Sequence, residues 1–297
     1  MSRILIIGSS LASKKNDVSK IADSIRLSGM NVSVVYWENL LFKIETNLVS
    51  ILSNDKSIID EKPDLVIAFG WYKNGKKAIY RDMAFSLALF LKHNGIKFWN
   101  SEMGNQRSST KLSCMVQLAL EGISVPQTYF SLNINQALAM MPMPFIAKAA
   151  AASRGDYNYL ITTDKDINQI NDKKDINFIL QPYLVNDHDL RVICFNGVPN
   201  LVLKRSRGQD ATTHMNNTSQ GGSASWLSVS DIPSELLTLS EKICKVTGRE
   251  MAGIDFIPDS ISSVGYSCLE VNAIPQLTSG TDSDKKMQSL VDVLKDI

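Results

Sequence analysis

The chain has 297 residues, of which 44% are hydrophobic and 21% charged, and its net charge is +1. This composition excludes a disordered or collagen-like chain, and at roughly 150 residues per domain the length predicts about two domains. The near-zero charge gives no overall field favouring nucleic acid or an anionic membrane. Apolar runs are shorter than the roughly 18 residues of a membrane span, and the first is too short for a signal peptide. We therefore expect a cytoplasmic protein with neither a nucleic-acid nor a membrane partner.

The four cysteines lie far apart and form no Cys-x-x-Cys motif. Most lie in strongly apolar segments, so we expect reduced thiols in the core rather than disulfide bonds or a zinc site. The histidines, His93, His188 and His214, share no ligand spacing that would suggest zinc.

The first hundred residues alternate between strand and helix patterns. Apolar and β-branched runs predict strands at residues 3–8, 32–37, 64–70 and from 97, and helical spacing predicts helices at 17–27 and 84–91. This alternation predicts a parallel sheet with helices on both faces. The turn after the first strand lacks the Gly-x-Gly-x-x-Gly sequence of dinucleotide-binding proteins, so NAD or FAD binding is not expected.

Aromatic and basic residues follow the third predicted strand, namely Trp71, Tyr72, Lys73 and Arg81. They would lie at the carboxyl edge of the sheet, where open α/β sheets bind ligands. Two interpretations stay open at this point: recognition of an acceptor substrate, or ordinary half-buried packing.

From residue 107 the pattern changes to helices mixed with paired strands. Helices are predicted at residues 111–121 and 233–246, the first after hydroxyl residues suited to cap it. Strands are predicted at residues 123–130, 145–148, 157–162 and 178–183. Hairpins are predicted for residues 190–195 with 198–204, around Asn196-Gly197, and for residues 253–257 with 266–272.

Two carboxylates and an amide are predicted to meet on the second hairpin. Glu270 and Asn272 are two residues apart in a strand, so their side chains share a face. A turn centred near residues 262–263 would set Asp255 opposite Glu270. Facing carboxylates repel, and Mg²⁺ between them would remove that cost, because it prefers oxygen ligands and is shared with phosphates. The alternative is a solvated sheet face without a metal.

Basic residues near strand ends and helix starts form a second feature. Lys148 ends an apolar strand, and Lys111 opens a helix, where its charge is unfavourable unless an anion lies nearby. Arg191 and the basic segment 204–207 lie on the two strands of the first hairpin. Each alone is typical of a solvated surface, but together with an acidic metal site they indicate a polyphosphate cradle.

Taken in order, these pieces resemble the ATP-grasp superfamily, specifically its RimK-like branch of carboxylate–amine ligases. The resemblance covers residues 107–277, and each piece is weak alone, but all of them occur in the family's order after an α/β domain. The segments that carry it are 110–112, 122–126, 144–148, 180–184, 189–191, 204–205, 217–222, 253–255 and 269–275.

The resemblance implies an α/β fold with an N-terminal Rossmann-like parallel-sheet domain at residues 1–106. A two-lobed ATP-grasp fold of α+β character would follow, with a central subdomain at 107–184 and a C-terminal subdomain at 185–297.

The resemblance also implies roles for single residues. The nucleotide would be bound by Lys111 and Lys148 at the phosphates, Tyr183 in the adenine connector, Asp189 near the ribose and Asn217 near the phosphates. Two Mg²⁺ ions, or Mn²⁺ in their place, would be held by Asp255, Glu270 and Asn272. The reacting carboxylate and its acyl phosphate would face Arg191 and Arg205.

The sequence departs from the family pattern at three points. The loop at 149–157 has one glycine where the family has several, and Pro182 stands where the family has an acid. A strict two-residue hairpin at Asn196-Gly197 would place Lys204 beside Arg191, whereas the resemblance favours Arg205. A bulge near Pro199 would reconcile the two.

The implied activity joins an amino-acid or peptide carboxylate to an amine through an acyl phosphate, with release of ADP and phosphate. An ATP-grasp kinase and a catalytically idle nucleotide-binding scaffold are the alternatives, the second suggested by the glycine-poor loop. Three retained metal-type oxygen ligands count against the idle scaffold. Assembly into a homo-oligomer stays open.

Overall fold

The computed structural model describes residues 2–10, 12–69, 77–100, 110–150, 157–173, 175–208, 216 and 222–297. The elements of the first hundred residues are β1 (Arg3–Gly8), α1 (Ala12–Leu27), β2 (Asn31–Tyr36), β3 (Leu41–Glu45), β4 (Leu48–Ser53), β5 (Lys56–Ser57), β6 (Leu65–Ala68), α2 (Lys77–His93) and β7 (Lys97–Trp99). Four of the strands pair in parallel in the order β2-β1-β6-β7, which confirms the predicted parallel α/β sheet.

Strand β1 is apolar along its length because both of its faces are covered. Ile4 and Ile6 pack in one hydrophobic cluster with the apolar face of α1. Leu5 and Ile7 point the other way and pack in a second cluster with α2. Burial on both faces is the reason that parallel strands read as continuous apolar runs.

A small antiparallel sheet of β3, β4 and β5 interrupts this pattern, and the sequence patterns predict no element there. Exposed apolar side chains occur on both of its faces, Leu41 and Leu48 on one and Ile44 and Val49 on the other. Because apolar residues stand on both faces of these strands, the sequence lacks the alternation by which a half-buried strand is recognised.

The middle of the chain forms a second sheet. Its elements are α3 (Lys111–Leu120), β8 (Tyr129–Phe130), α4 (Ile134–Leu138), β9 (Phe145–Ala149), β10 (Asn158–Ile161), α5 (Asn168–Asn171) and β11 (Phe178–Pro182). The strands are antiparallel in the order β10-β9-β11-β8.

The predicted strand at 123–130 is wrong over most of its length, since only Tyr129 and Phe130 pair in a sheet. Pro126 cannot donate a backbone hydrogen bond, which breaks a sheet ladder. The segment instead runs past the C-terminal sheet, where the carbonyl of Ser124 accepts from the backbone N–H of Cys268.

The remaining elements are β12 (His188–Phe195), β13 (Val198–Ser206), β14 (Ser223–Leu227), α6 (Ser234–Thr247), β15 (Ala252–Pro258), β16 (Tyr266–Asn272) and α7 (Ser283–Lys295). The strands form an antiparallel sheet in the order β14-β13-β12-β15-β16. One face of it packs against α3 and α6 in a shared hydrophobic cluster. The two predicted hairpins are both present.

Helix α7 is absent from the sequence-based expectations, although its buried residues Met287, Leu290, Val291 and Leu294 follow helical spacing. These side chains belong to the cluster that covers the α1 face of the N-terminal sheet. The first and last parts of the chain therefore share one core. The predicted domain boundaries stay a prediction, and none of the described helices is long and apolar enough to cross a bilayer.

Candidate active site

A row of charged residues crosses the C-terminal sheet on the face opposite α3 and α6. Arg191 in β12 lies opposite Asp255 in β15, and Asp255 lies opposite Glu270 in β16. The predicted pairing of Asp255 with Glu270 is thereby confirmed. Further along the same face, Asp189 lies opposite Arg205 in β13. Because laterally paired residues share a face, these side chains form one continuous charged surface.

The two arginines and the two aspartates of this surface form a buried ion-pair network. Arg191 binds Asp255 with two hydrogen bonds, Nε to Oδ1 at 2.6 Å and Nη2 to Oδ2 at 2.7 Å. Arg205 donates from Nε to Asp189 Oδ1 at 2.5 Å, and its Nη2 lies 3.3 Å from Asp255 Oδ1. Paired forks of this kind fix the guanidinium plane as well as its position.

Burial and charge act in opposite directions on the two aspartates. Burial raises the pKa of Asp255, but the Arg191 and Arg205 guanidinium groups outweigh it, so that the pKa lies below its ordinary value. At Asp189 burial prevails over the attraction of Arg205, and the pKa is raised. The difference arises because Asp255 faces two guanidinium groups at close range.

A bulge in the β12–β13 hairpin decides which basic residue joins the network. Ile193 pairs with Leu201 while Cys194 pairs with Pro199, so Asn200 is an extra residue on β13. The backbone N–H of Phe195 donates to Asn200 Oδ1 at 2.8 Å, which holds the bulge. As a result Arg205, not Lys204, stands opposite Asp189, and the predicted bulge next to Pro199 is confirmed.

Lys148 approaches from the central sheet. Its Nζ donates to Gln181 Oε1 at 2.9 Å, and Gln181 Nε2 donates to Thr128 Oγ1 at 2.9 Å. Burial lowers the pKa of Lys148, the charge of Glu270 opposes that shift, and the charge of Lys111 adds to it. Gln181 lies in the segment 180–184 that resembles the family, but no contact was predicted for it. The sequence feature that could have indicated one is its place at the end of the apolar run of β11, where it is 2% exposed.

Lys111 reaches the same region from the first turn of α3. Thr110 caps this helix by accepting the backbone N–H of Ser113, which fixes where the first turn begins. Lys111 Nζ lies 3.4 Å from Glu270 Oε1. Glu270 is therefore the anion that offsets the unfavourable position of Lys111 at a helix start.

The proposed metal ligands lie on adjacent strands without forming a closed cage. Asn272 is paired with Gly253, next to Asp255, and its Nδ2 donates to the Gly253 carbonyl at 3.4 Å. Both oxygens of Asp255 are taken by Arg191. Across the described ranges, no group of three or more His, Cys, Asp or Glu side chains is placed to hold a metal ion. The metal assignment stays a prediction.

The remaining expected site residues divide into two groups. Tyr183 follows β11; its N–H donates to the Pro144 carbonyl, and its hydroxyl accepts from Arg207 Nη1 at 3.4 Å. Asn217, most of the glycine-poor loop, and the Trp71-Tyr72-Lys73 segment lie outside the described residues, as does the side chain of Arg81.

The chain is similar in sequence and in fold to proteins named as ligases. A "Probable alpha-L-glutamate ligase" of Aeromonas salmonicida is 27% identical over 187 residues, which is 60% of each chain. This chain thus spans about three-fifths of the length of that curated relative. A structure of the ATP-grasp ligase PsnB, complexed with a phosphomimetic precursor variant, Mg and ADP, superposes with a TM-score of 0.72 at 16% identity, over 100% of this chain and 98% of that one.

A second solved structure has the same fold. A RiPP-associated ATP-grasp ligase of Chryseobacterium gregarium superposes with a TM-score of 0.66 at 15% identity, covering 100% of this chain and 97% of that chain. At these identities the superpositions establish the fold alone. The model of the RimK-like ATP-grasp domain matches residues 108–294, well over half of the sequence, and the chain therefore belongs to the RimK-like ATP-grasp family.

Proposed function

We propose that the protein is an ATP-dependent carboxylate–amine ligase that forms an amide bond through an acyl phosphate and releases ADP and phosphate. The observation that carries this proposal is a cluster of cations on one surface. The guanidinium groups of Arg191 and Arg205 both lie against Asp255. Two lysines, Lys148 and Lys111, lie near Glu270 on the neighbouring strand. A carboxylate that attacks the γ-phosphate meets like charge, so cations have to flank the transferred group. This cluster supplies four of them.

Each cation has a proposed task. Lys111 and Lys148 would bind the phosphates of ATP, while Arg191 and Arg205 would hold the reacting carboxylate. In the second step Arg191 would stabilise the oxyanion that forms when the amine attacks. Tyr183 would line the adenine site, Asp189 would approach the ribose and Asn217 the phosphates.

The oxygen-rich donor set fits Mg²⁺. Asp255, Glu270 and Asn272 offer carboxylate and amide oxygens, the ligands that this ion prefers, and we propose that they hold two Mg²⁺ ions or Mn²⁺. When bound, the ions would neutralise charge on the β- and γ-phosphates. Asp255 would divide its oxygens between the metal and Arg191.

The substrate proposal is an amino acid or a peptide on the carboxylate side and an amine on the acceptor side. It draws on the names of similar proteins, a glutamate ligase and ligases complexed with precursor peptides. We also propose a cytoplasmic location, supported by four buried cysteines, all of them within the described residues, that form no disulfide bond.

The test is ADP release from Mg-ATP in the presence of pooled amino acids and peptides, with hydroxylamine added to trap the acyl phosphate. The proposal expects ADP release that depends on one carboxylate, together with a hydroxamate of that carboxylate. A stable phosphate ester without hydroxamate would indicate a kinase instead. ATP binding without turnover in any pool would indicate an idle scaffold.

A further inference from the structure

The loop that follows β16, residues 273–280, lies against the proposed catalytic arginine. Gln276 Oε1 accepts a hydrogen bond from Arg191 Nη1 at 3.3 Å. Pro275 packs on Gly253, where an added Cβ would stand 3.1 Å from Pro275 Cβ and 3.8 Å from Arg191 Cδ. The loop therefore contacts the guanidinium of Arg191, and its Pro275 packs on the same glycine that lies beside Arg191 Cδ.

Gln276 holds this contact in an unfavourable backbone conformation. Its φ is +45°, in the left-handed region that side chains other than glycine rarely adopt. A conformation of this kind persists only where neighbouring groups determine it, and such positions concentrate at functional sites. Contacts from other residues are therefore needed to stabilise the backbone of the loop at Gln276.

That support comes from a buried lysine in α7. Lys286 is 4% exposed, and its Nζ donates to the carbonyl oxygens of Gln276 at 2.7 Å and Ser279 at 2.6 Å. Among neighbouring charges, Arg191 disfavours its protonated form and Asp282 favours it. Burying an ammonium group costs free energy, and here the compensation comes from two backbone carbonyls of the loop.

We propose that Lys286 is a positioning residue for the ligase reaction. By fixing the backbone of Gln276 and Ser279 it sets Gln276 against Arg191 Nη1, the guanidinium nitrogen that does not bind Asp255, and so completes the hold that aims the guanidinium at the reacting carboxylate. This proposal rests on the proposed function for the task of Arg191. The proposal also predicts that Lys286, acting through Gln276, restrains the guanidinium group of Arg191. This restraint can be measured in the absence of any reaction.

The first experiment measures the arginine directly. In ¹⁵N-labelled protein the Nη signals of Arg191, assigned by comparison with Arg191→Lys, report rotation of its guanidinium group. Lys286→Met should let these signals exchange at least about tenfold faster, while Lys286→Arg, which keeps a donor, should restore slow rotation. Lys295→Met, on the exposed side of the same helix, is the matched control and should change nothing.

The second experiment separates positioning from general destabilisation. Lys286→Met should lower kcat by about 10–100-fold on the substrates found by ADP release, and leave the KM for Mg-ATP and the Mg-ATP-induced shift in Tm unchanged. If Lys286→Met fails to fold, Gln276→Ala, which removes only the contact to Arg191, should give the same fast rotation and the same loss in kcat.

Arg191 signals that stay unchanged in Lys286→Met, or in Gln276→Ala where that variant replaces it, would overturn the proposal. A parallel rise in the KM for Mg-ATP would also overturn it, because it would indicate a disturbed nucleotide site. Absence of ADP release with every carboxylate would refute the proposed function. The Arg191 signals would then still decide whether Lys286 holds the loop.

Discussion

At the scale of single residues, the carboxylate of Asp255 lies at the centre of the site and contacts the guanidinium groups of two arginines. Asp255 is buried to 6% exposure and binds Arg191 through two hydrogen bonds and Arg205 through a longer contact. Removing one partner of a buried ion pair ordinarily leaves an uncompensated charge. Here the second guanidinium remains, so Arg191 can be tested without stranding the carboxylate.

Arg191→Ala should lower kcat by about 10²–10³, the usual loss when one donor to a developing charge is removed, and leave ATP affinity nearly intact. The measurement is ADP release at saturating ATP, together with titration of Mg-ATP. Arg26→Ala, at an exposed arginine paired with Asp23, serves as control and should behave like the wild type. An equal loss of ATP affinity would move Arg191 into the nucleotide site.

Lys286 should make stability depend on pH in a defined direction. Burial lowers its pKa from 10.5 to about 8, so between these values the unfolded chain binds more protons than the folded one. The free energy of unfolding should then rise with pH across this window relative to Lys286→Met. Urea unfolding of both proteins at pH 8 and pH 10 measures it, and a falling difference would contradict the lowered pKa.

At the scale of elements, the bulge at Asn200 sets the register of β13. Pairs beyond a bulge keep their partners if the extra residue is removed, whereas one residue added within the strand turns every following side chain to the other face. The face on which Arg205 lies is thus determined by the number of paired residues between the hairpin turn and the site, and Asn200 is not one of them.

Deletion of Asn200 should therefore leave Arg205 opposite Asp189 and retain ADP release. Insertion of one glycine between Leu203 and Lys204 should instead bring Lys204 opposite Asp189 and reduce ADP release by about 10²-fold or more. Near-ultraviolet circular dichroism of both variants checks that they are folded. Full activity in a folded insertion variant would show that Arg205 does not have to face the network.

The sequence predicts pairs within one hairpin, but not pairs between strands that lie far apart in the chain. The pairing of Asp255 with Glu270 follows from the length of one short hairpin. The sequence also limits the residue beside Arg191 to Lys204 or Arg205, because the position of both depends on the turn at Asn196-Gly197. Arg191 opposite Asp255 is different. It joins residues 64 apart, and no local periodicity specifies which strands become neighbours across such a separation.

Nor do local patterns reveal how the loop after β16 is held. Lys286 looks like one of several lysines on an amphipathic helix, and its burial depends on where α7 docks. Among the elements, the sheet of β3 to β5 was not predicted because apolar residues stand on both of its faces, contrary to the usual alternation.

At the scale of the whole molecule, the proposed site depends on contacts between the beginning and the end of the chain. Thr278, in the loop beside Arg191, donates to Asp17 of α1 at 2.6 Å. Asn100, just after β7, donates to the Ala273 carbonyl at 2.6 Å and accepts from the Met251 N–H at 2.9 Å. Helix α1 and the residue after β7 thus support the loop that contacts the arginine.

Leu290→Ala should lower the free energy of unfolding by about 2–5 kcal/mol, because Leu290 is fully buried in the cluster that α7 shares with α1 and the N-terminal sheet. Urea unfolding should show one transition with a lower midpoint, since both ends of the chain share this core. Leu27→Ala, at a leucine that is 89% exposed, should stay within about 0.5 kcal/mol of the wild type. A separate early transition would show that the ends unfold independently.

The shared core also has a consequence for synthesis on the ribosome. Domains generally fold in the order in which they are translated. Here the cluster that joins Ile4 and Ile6 of β1 with Ile21 of α1 also contains Leu290 and Leu294 of α7, and α7 packs against α1. The apolar side chains of α1 that pack on α7 therefore stay uncovered until residues 283–295 emerge, and during that interval a chaperone can bind them.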